Sequence, residues 1–181
     1  MTGSSCLPVS INKKGELVFL FGKENPMEDS SKGFSDFGGS IEKGENIYQT
    51  ALRECAEELS FFLGDANTID KLIHKNGGVY KFQSVGTDYH IHIFFLEYDE
   101  NLPKYYNANH LHLWDKMDKN VLNNSKFFEK IEIQWMTCSS IKHKIKDFRS
   151  FYQNIILDVL TQKSNIKKFI SKKKHSKTYK K

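Results

Sequence analysis

Long apolar runs are missing from this chain of 181 residues. None approaches the roughly 18 residues that span a bilayer, and residues 1–8 offer no apolar signal-peptide core. Glycine stands at position 3 rather than 2, so no myristoylation signal is present. Cysteine is scarce: Cys6, Cys55 and Cys138 are odd in number, far apart and without CxxC spacing. That excludes a disulfide framework and the common zinc motifs, and points to reduced thiols in an intracellular, cytoplasmic protein. Arginine is limited to Arg53 and Arg149, so lysine must supply most phosphate contacts. No internal repeat is present.

Hydrophobic residues make up 39% of the chain and aromatics 13%, enough for one domain with a substantial core. The net charge of +5 is unevenly placed: from Lys163 onward there are nine lysines and no acid, which leaves the remainder mildly acidic. The expected organisation is one domain over 1–162 and a disordered, lysine-rich tail over 163–181, with Lys167, Lys168, Lys172, Lys173 and Lys174 as its nucleic-acid candidates. Nuclear import, an anionic membrane surface and plain solubility are the other uses of such a tail.

The densest chemical information lies between Gly39 and Phe61. Asn46 is an N-cap candidate and Gln49 its capping-box partner, so a helix should start at Ile47. Ile47, Ala51, Cys55 and Leu59 share one stripe, while Glu54, Glu57 and Glu58 share an arc of the other side. Only Arg53 offers compensation within the helix, to Glu57 four residues on. Three clustered carboxylates are ordinarily a solvated face, yet hard divalent cations also fit them, because Mg²⁺ takes one or two carboxylates and completes its shell with water and substrate phosphate. Asp36, Phe37, Gly38 and Gly39 lead into the helix, and the glycines let backbone approach a ligand.

Gly39, five residues, Glu45, seven residues, then Arg53, Glu54, Cys55, Glu57, Glu58 and Phe61 resemble the signature box of the Nudix hydrolases. The resemblance implies a Nudix-type α/β/α sandwich with a mixed β-sheet between helices. It further implies Mg²⁺ or Mn²⁺ bound by Glu54, Glu57 and Glu58, one of them serving as general base through a water, with the Gly38 carbonyl as main-chain ligand. Glu45 would pair with Arg53. Ser60 stands where the family has glycine; Gly64 is then expected to end a longer helix in the left-handed conformation.

Along the rest of the chain, Val9 to Ile11, Leu17 to Phe21, Val79 to Ser84, Tyr89 to Tyr98 and Glu129 to Trp135 read as strands. Residues 67–75 read as a short helix, and 147–162 as an amphipathic helix packed on the sheet. Lys23, just after the second strand, matches a family position that faces substrate phosphates. Glu129 is the first candidate for the further acid that the family places near its metals, and Glu132 the second. His90 and His92 lie two apart on an outward face of their strand, and His110 and His112 have the same spacing; neither pair comes with a zinc-type ligand set. Residues 99–128 form an insertion with a helical hint only at 111–117.

The function this implies is hydrolysis of the pyrophosphate link in a nucleoside diphosphate joined to another moiety. An mRNA 5′-cap hydrolase is the alternative that gives the lysine tail a use. A non-catalytic nucleotide- or RNA-binding module is the alternative from another class, and it rests on Ser60.

Overall fold

The computed structural model describes residues 2–25, 32–124 and 128–178. The side chains of residues 119, 123, 124 and 172–178 lie outside that set. Seven strands form one mixed sheet: β1 (Gly3–Ile11), β2 (Leu17–Glu24), β3 (Phe34–Ser35), β4 (Phe37–Ser40), β5 (Val79–Gln83), β6 (Tyr89–Phe95) and β7 (Lys130–Thr137). Its backbone order is β3-β2-β1-β6-β5, with β7 added to β2 and β4 to β1. β1 and β6 run parallel, whereas β2, β4, β5 and β7 pair antiparallel with their neighbours.

β1 begins six residues before the strand read from sequence, and it passes through Pro8. The Val9 carbonyl accepts from Leu96 on the β6 side, so alternation turns the donorless Pro8 nitrogen to the other flank. There β1 changes partner, from β4 at Gly3–Cys6 to β2 at Val9–Ile11. No ladder bond is therefore lost at the proline.

Helices cover both faces. α1 (Ile47–Glu58), α2 (Ala66–Lys75) and α3 (Leu102–Lys116) pack with Leu20, Phe37, Phe94 and Ile133 around one apolar cluster. Short α4 (Lys119–Asn124) follows α3. On the opposite face α5 (Cys138–His143), α6 (Tyr152–Thr161) and α7 (Lys163–Thr178) contribute to a second cluster with Phe19, Phe21, Ile91, Ile93 and Phe148. The result is the α/β/α sandwich expected from sequence. None of the described helices is long and apolar enough to cross a membrane.

Three expectations are corrected. The C-terminal element is not one helix from Asp147: residues 145–147 form a short 3₁₀ turn, Phe148 bridges to Phe34, and α6 starts only at Tyr152. The boundary at 162 also moves, because α7 continues and buries Ile166 and Ile170, four residues apart on one helix face, in the core. The insertion is helical from Leu102 because Pro103 sits in its first turn and Tyr106 and His110 are buried one turn apart. Asn107 on that helix closes the β7 edge, with its side-chain oxygen accepting from Ile133 N–H at 2.8 Å and its amide donating to Ile133 O at 3.2 Å.

Candidate active site

The box helix is fixed at its start by the Asn46 side chain, which accepts from Tyr48 and Gln49, while Gln49 accepts from the Asn46 N–H at 2.9 Å. Small buried residues, Ala51, Cys55 and Ala56, let α1 lie close against β1 and β4. The glycines are required by that approach. A Cβ on Gly38 would collide with Ser5, and one on Gly39 with the Glu54 carboxylate.

Arg53 gathers the acids. Its Nε donates to Glu45 Oε1 at 2.7 Å and its Nη2 to Glu45 Oε2 at 3.1 Å. Nη1 donates to Glu54 at 2.9 Å and to Glu57 at 3.2 Å. The hydrogen bond from Arg53, helped by Thr50, holds the Glu45 carboxyl down at about 2, and Glu45 in turn raises the guanidinium above its usual range. Glu54 and Glu57 are thus held on one guanidinium nitrogen, with the Glu54 carboxylate against Gly39 of β4. These are hard oxygen donors of the kind Mg²⁺ and Mn²⁺ take, and the space beside Gly39 exists only because it lacks a Cβ. The donor set fits such an ion when water and substrate phosphate supply the remaining positions. Among the described residues no group of three acidic, histidine or cysteine side chains closes a shell on its own.

Glu58 faces elsewhere. Its Oε2 accepts from Gly38 N–H at 2.7 Å, and its Oε1 lies 3.0 Å from the fully buried Nζ of Lys130. Lys130 also donates to Ser35 Oγ at 2.9 Å and pairs with Glu24, which Arg149 reaches at 2.7 Å. Burial pushes the Glu58 carboxyl up to about 8, with the Lys130 charge opposing and Glu24 and Glu129 adding to it. Burial pulls Lys130 down, but the charges of Glu58 and Glu24 more than offset that. Two acids and two bases meet in this set, with Lys130 fully buried and Arg149 part-buried.

That set went unread in the sequence. Lys130 opens an alternating strand and looks like an exposed end residue; a register shift between Lys23 and Glu24 places Lys130 opposite Glu24, with Ile131 left over. The signal available was Gly22, since any Cβ there would meet the Lys130 stem.

The helix exit corrects a further expectation. α1 stops at Glu58 and does not run on to Gly64. Ser60 itself takes φ 49° and Phe61 φ 58°. Ser60 N–H donates to Glu57 O at 2.7 Å and Phe61 N–H to Ala56 O at 2.8 Å, the paired bonds of a Schellman ending. The Ser60 hydroxyl lies 3.0 Å from His110 Nε2.

Other candidates are dispersed. Lys23 faces its cross-strand neighbour Glu132 at 3.7 Å and lies over the Phe34 ring. Glu129 is close enough to bear on Glu58. His92 is not outward: it is buried beside Tyr48, its Nδ1 3.2 Å from Ser5 O, whereas His90 pairs with Asp88. His110 is likewise buried, stacked on Tyr106 at 3.9 Å, and His112 is exposed. Lys167 and Lys168 are exposed on α7, while the side chains of Lys172, Lys173 and Lys174 lie outside the described residues.

Two solved structures are similar to this chain. A bifunctional NMN adenylyltransferase/ADP ribose pyrophosphatase from Francisella tularensis, solved with AMP and a Mn ion, aligns with TM-score 0.50 and 16% identity, over 89% of this chain and 41% of that one. A mutT/nudix family protein from Listeria innocua aligns with TM-score 0.48 and 13% identity, over 91% of this chain and 94% of that one. Among curated proteins no relative is found. The NUDIX domain model matches residues 5–158, most of the chain and the whole of the site just described, so the chain belongs to the Nudix family, hydrolases of phosphoanhydride bonds.

Proposed function

We propose that this protein is a divalent-metal-dependent hydrolase that cleaves the pyrophosphate link of a nucleoside diphosphate joined to another moiety. The observation that carries the reading is the gathering of Glu45, Glu54 and Glu57 on one guanidinium, beside β4, whose Gly39 leaves room for the Glu54 carboxylate. Glu54, Glu57 and the Gly38 carbonyl are the residues that would hold Mg²⁺ or Mn²⁺, with Glu58 and Glu129 behind them. When bound, such an ion neutralises charge on the phosphoryl oxygens and makes a coordinated water more acidic. Glu57 accepts the proton of the attacking water. Arg53 fixes Glu54 and Glu57 against Glu45, so that their geometry is set before substrate arrives. Lys130 and the Gly38 N–H anchor Glu58. Lys23 is the candidate for a phosphate contact.

The test is product analysis with Mg²⁺ or Mn²⁺ over nucleoside triphosphates, ADP-ribose, dinucleoside polyphosphates and cap-labelled RNA. E57Q should lower turnover by about 10²-fold or more. Undiminished turnover in E57Q would remove Glu57 from the reaction. Exposed Lys167 and Lys168 favour a second reading, in which the nucleoside diphosphate is the 5′ cap of an RNA. Preferred release of a capped nucleoside diphosphate would select it.

A further inference from the structure

Behind the last turn of the box helix, between α3 and the β7 edge, lies a cavity of about 520 Å³ that the reaction described above leaves unused. Its walls are aromatic and aliphatic: Trp114, Phe128, His110 and Leu111, with Ile131, the residue left over at the β2–β7 register shift. Its polar groups are few: Asn25, Asn107 and the carboxylate of Glu132. Volumes of roughly 300–1,000 Å³ with apolar walls and a small number of polar groups are typical of small-ligand sites.

The walls are set rigidly and tied to the box. His110 is stacked on Tyr106, meets Phe128 edge-on at 5.2 Å, and lies against the Ser60 hydroxyl. Tyr106 Oη contacts the carbonyls of Glu58 and Lys130 at 3.1 and 3.0 Å. Asn25 follows Glu24 and donates to Phe128 O at 3.0 Å, and Phe128 precedes Glu129. The cavity is therefore one residue along the chain from two acids of the candidate site. Asn107 is committed to Ile133, so Glu132, 39% exposed and held only loosely by Lys23 at 3.7 Å, is the group able to read a ligand edge.

We infer that this cavity is a nucleobase pocket selective for guanine; the inference rests on the nucleotide reading above. Flat aromatic walls suit a base that stacks, and stacking contributes about 1–3 kcal/mol per base. A carboxylate has only acceptors. Guanine presents two adjacent donors, N1–H and the N2 amino group, on one edge, which a single carboxylate accepts together. Adenine presents a ring acceptor at N1, which the carboxylate repels. A free guanine nucleotide and the guanine of a 5′ cap share this edge.

Calorimetric titration with GMP and AMP tests the pocket without catalysis. GMP should bind at least about 10-fold more tightly than AMP, since the carboxylate edge is worth about 1–3 kcal/mol of discrimination. W114A should weaken both by about 5-fold or more through lost stacking. Glu132 is a rim residue, so E132Q keeps the core intact, and it should abolish the preference for GMP by weakening GMP and relieving the repulsion of adenine N1. Equal binding of GMP and AMP, or a preference untouched by E132Q, overturns the inference. Retained guanine binding without turnover on any nucleotide defeats the hydrolase reading and leaves the pocket standing; turnover with base-blind binding does the reverse. A capped dinucleotide that outcompetes GTP assigns the pocket to RNA ends, and the opposite order assigns it to free nucleotide.

Discussion

Lys130 Nζ lies 3.0 Å from Glu58 Oε1, with the lysine fully buried and the glutamate side chain 5% exposed. A box carboxylate is thus anchored from behind by an internal cation that also serves Glu24. Removing one member of a buried pair leaves its partner's charge uncompensated, which typically costs about 3–5 kcal/mol. K130M should lower urea-unfolding stability by that amount. K130M/E58Q should recover part of the loss, because one of the two acids left around the methionine is then removed. A K130M protein within about 1 kcal/mol of the parent would mean that Glu58 is held by Gly38 alone.

Ser60 carries a different burden. A non-glycine residue in the left-handed region costs roughly 1–2 kcal/mol, and here a hydroxyl bonded to His110 offsets part of it. S60A keeps the strain and loses the bond, so it should destabilise by about 1 kcal/mol. S60G loses the bond and the strain together and should lie within about 0.5 kcal/mol of the parent. Thermal unfolding of the two variants measures the order. S60A as stable as the parent would show that the hydroxyl contact contributes nothing, and S60A as stable as S60G that the left-handed backbone carries no strain.

Much of this architecture was legible because it is local. The capping box at Asn46 and Gln49, the sheet strands and the acidic arc of α1 follow from periodicity and cap chemistry within a few residues. What escaped reading depends on contacts distant in sequence. Lys130 becomes interior only through a register shift on β2, Ile166 and Ile170 become core only because α6 returns them to the sheet, and α3 lacks a continuous apolar stripe because its role is to cover an edge with Asn107. Ser60 was visible as a departure, but its left-handed backbone needs His110, fifty residues away, to be understood.

Asp36 makes stability depend on pH. It is buried between β3 and β4, and burial pushes its carboxyl from 3.8 up to about 6, against hydrogen bonds from Ser5 and Tyr89 that favour ionisation. Its folded pKa is above the unfolded one, so between these values the native state binds more protons. The contribution is complete below pH 4, declines as pH rises to 6, and stays lost above it. About two units at 1.36 kcal/mol each correspond to about 3 kcal/mol. D36N should flatten the stability profile between pH 4 and 6 in denaturant titrations. An unchanged slope would assign that pH dependence to other groups.

The basic C-terminal segment has to be probed without removing core residues. Deleting 164–181 takes out Ile166 and Ile170, and losing buried isoleucines costs about 2–5 kcal/mol each, so such a truncation would confuse unfolding with lost binding. K167E/K168E leaves both isoleucines in place, because these lysines are exposed on α7. If the segment neutralises RNA phosphates, this variant should weaken RNA binding and reduce the slope of log K against log salt by about 0.7 per lost contact. Turnover of small nucleotides should not change, since neither lysine contacts the carboxylate site among the described residues. An unaltered salt slope would leave the lysines with no role at nucleic acid, and would favour free nucleotides over RNA ends as the substrate.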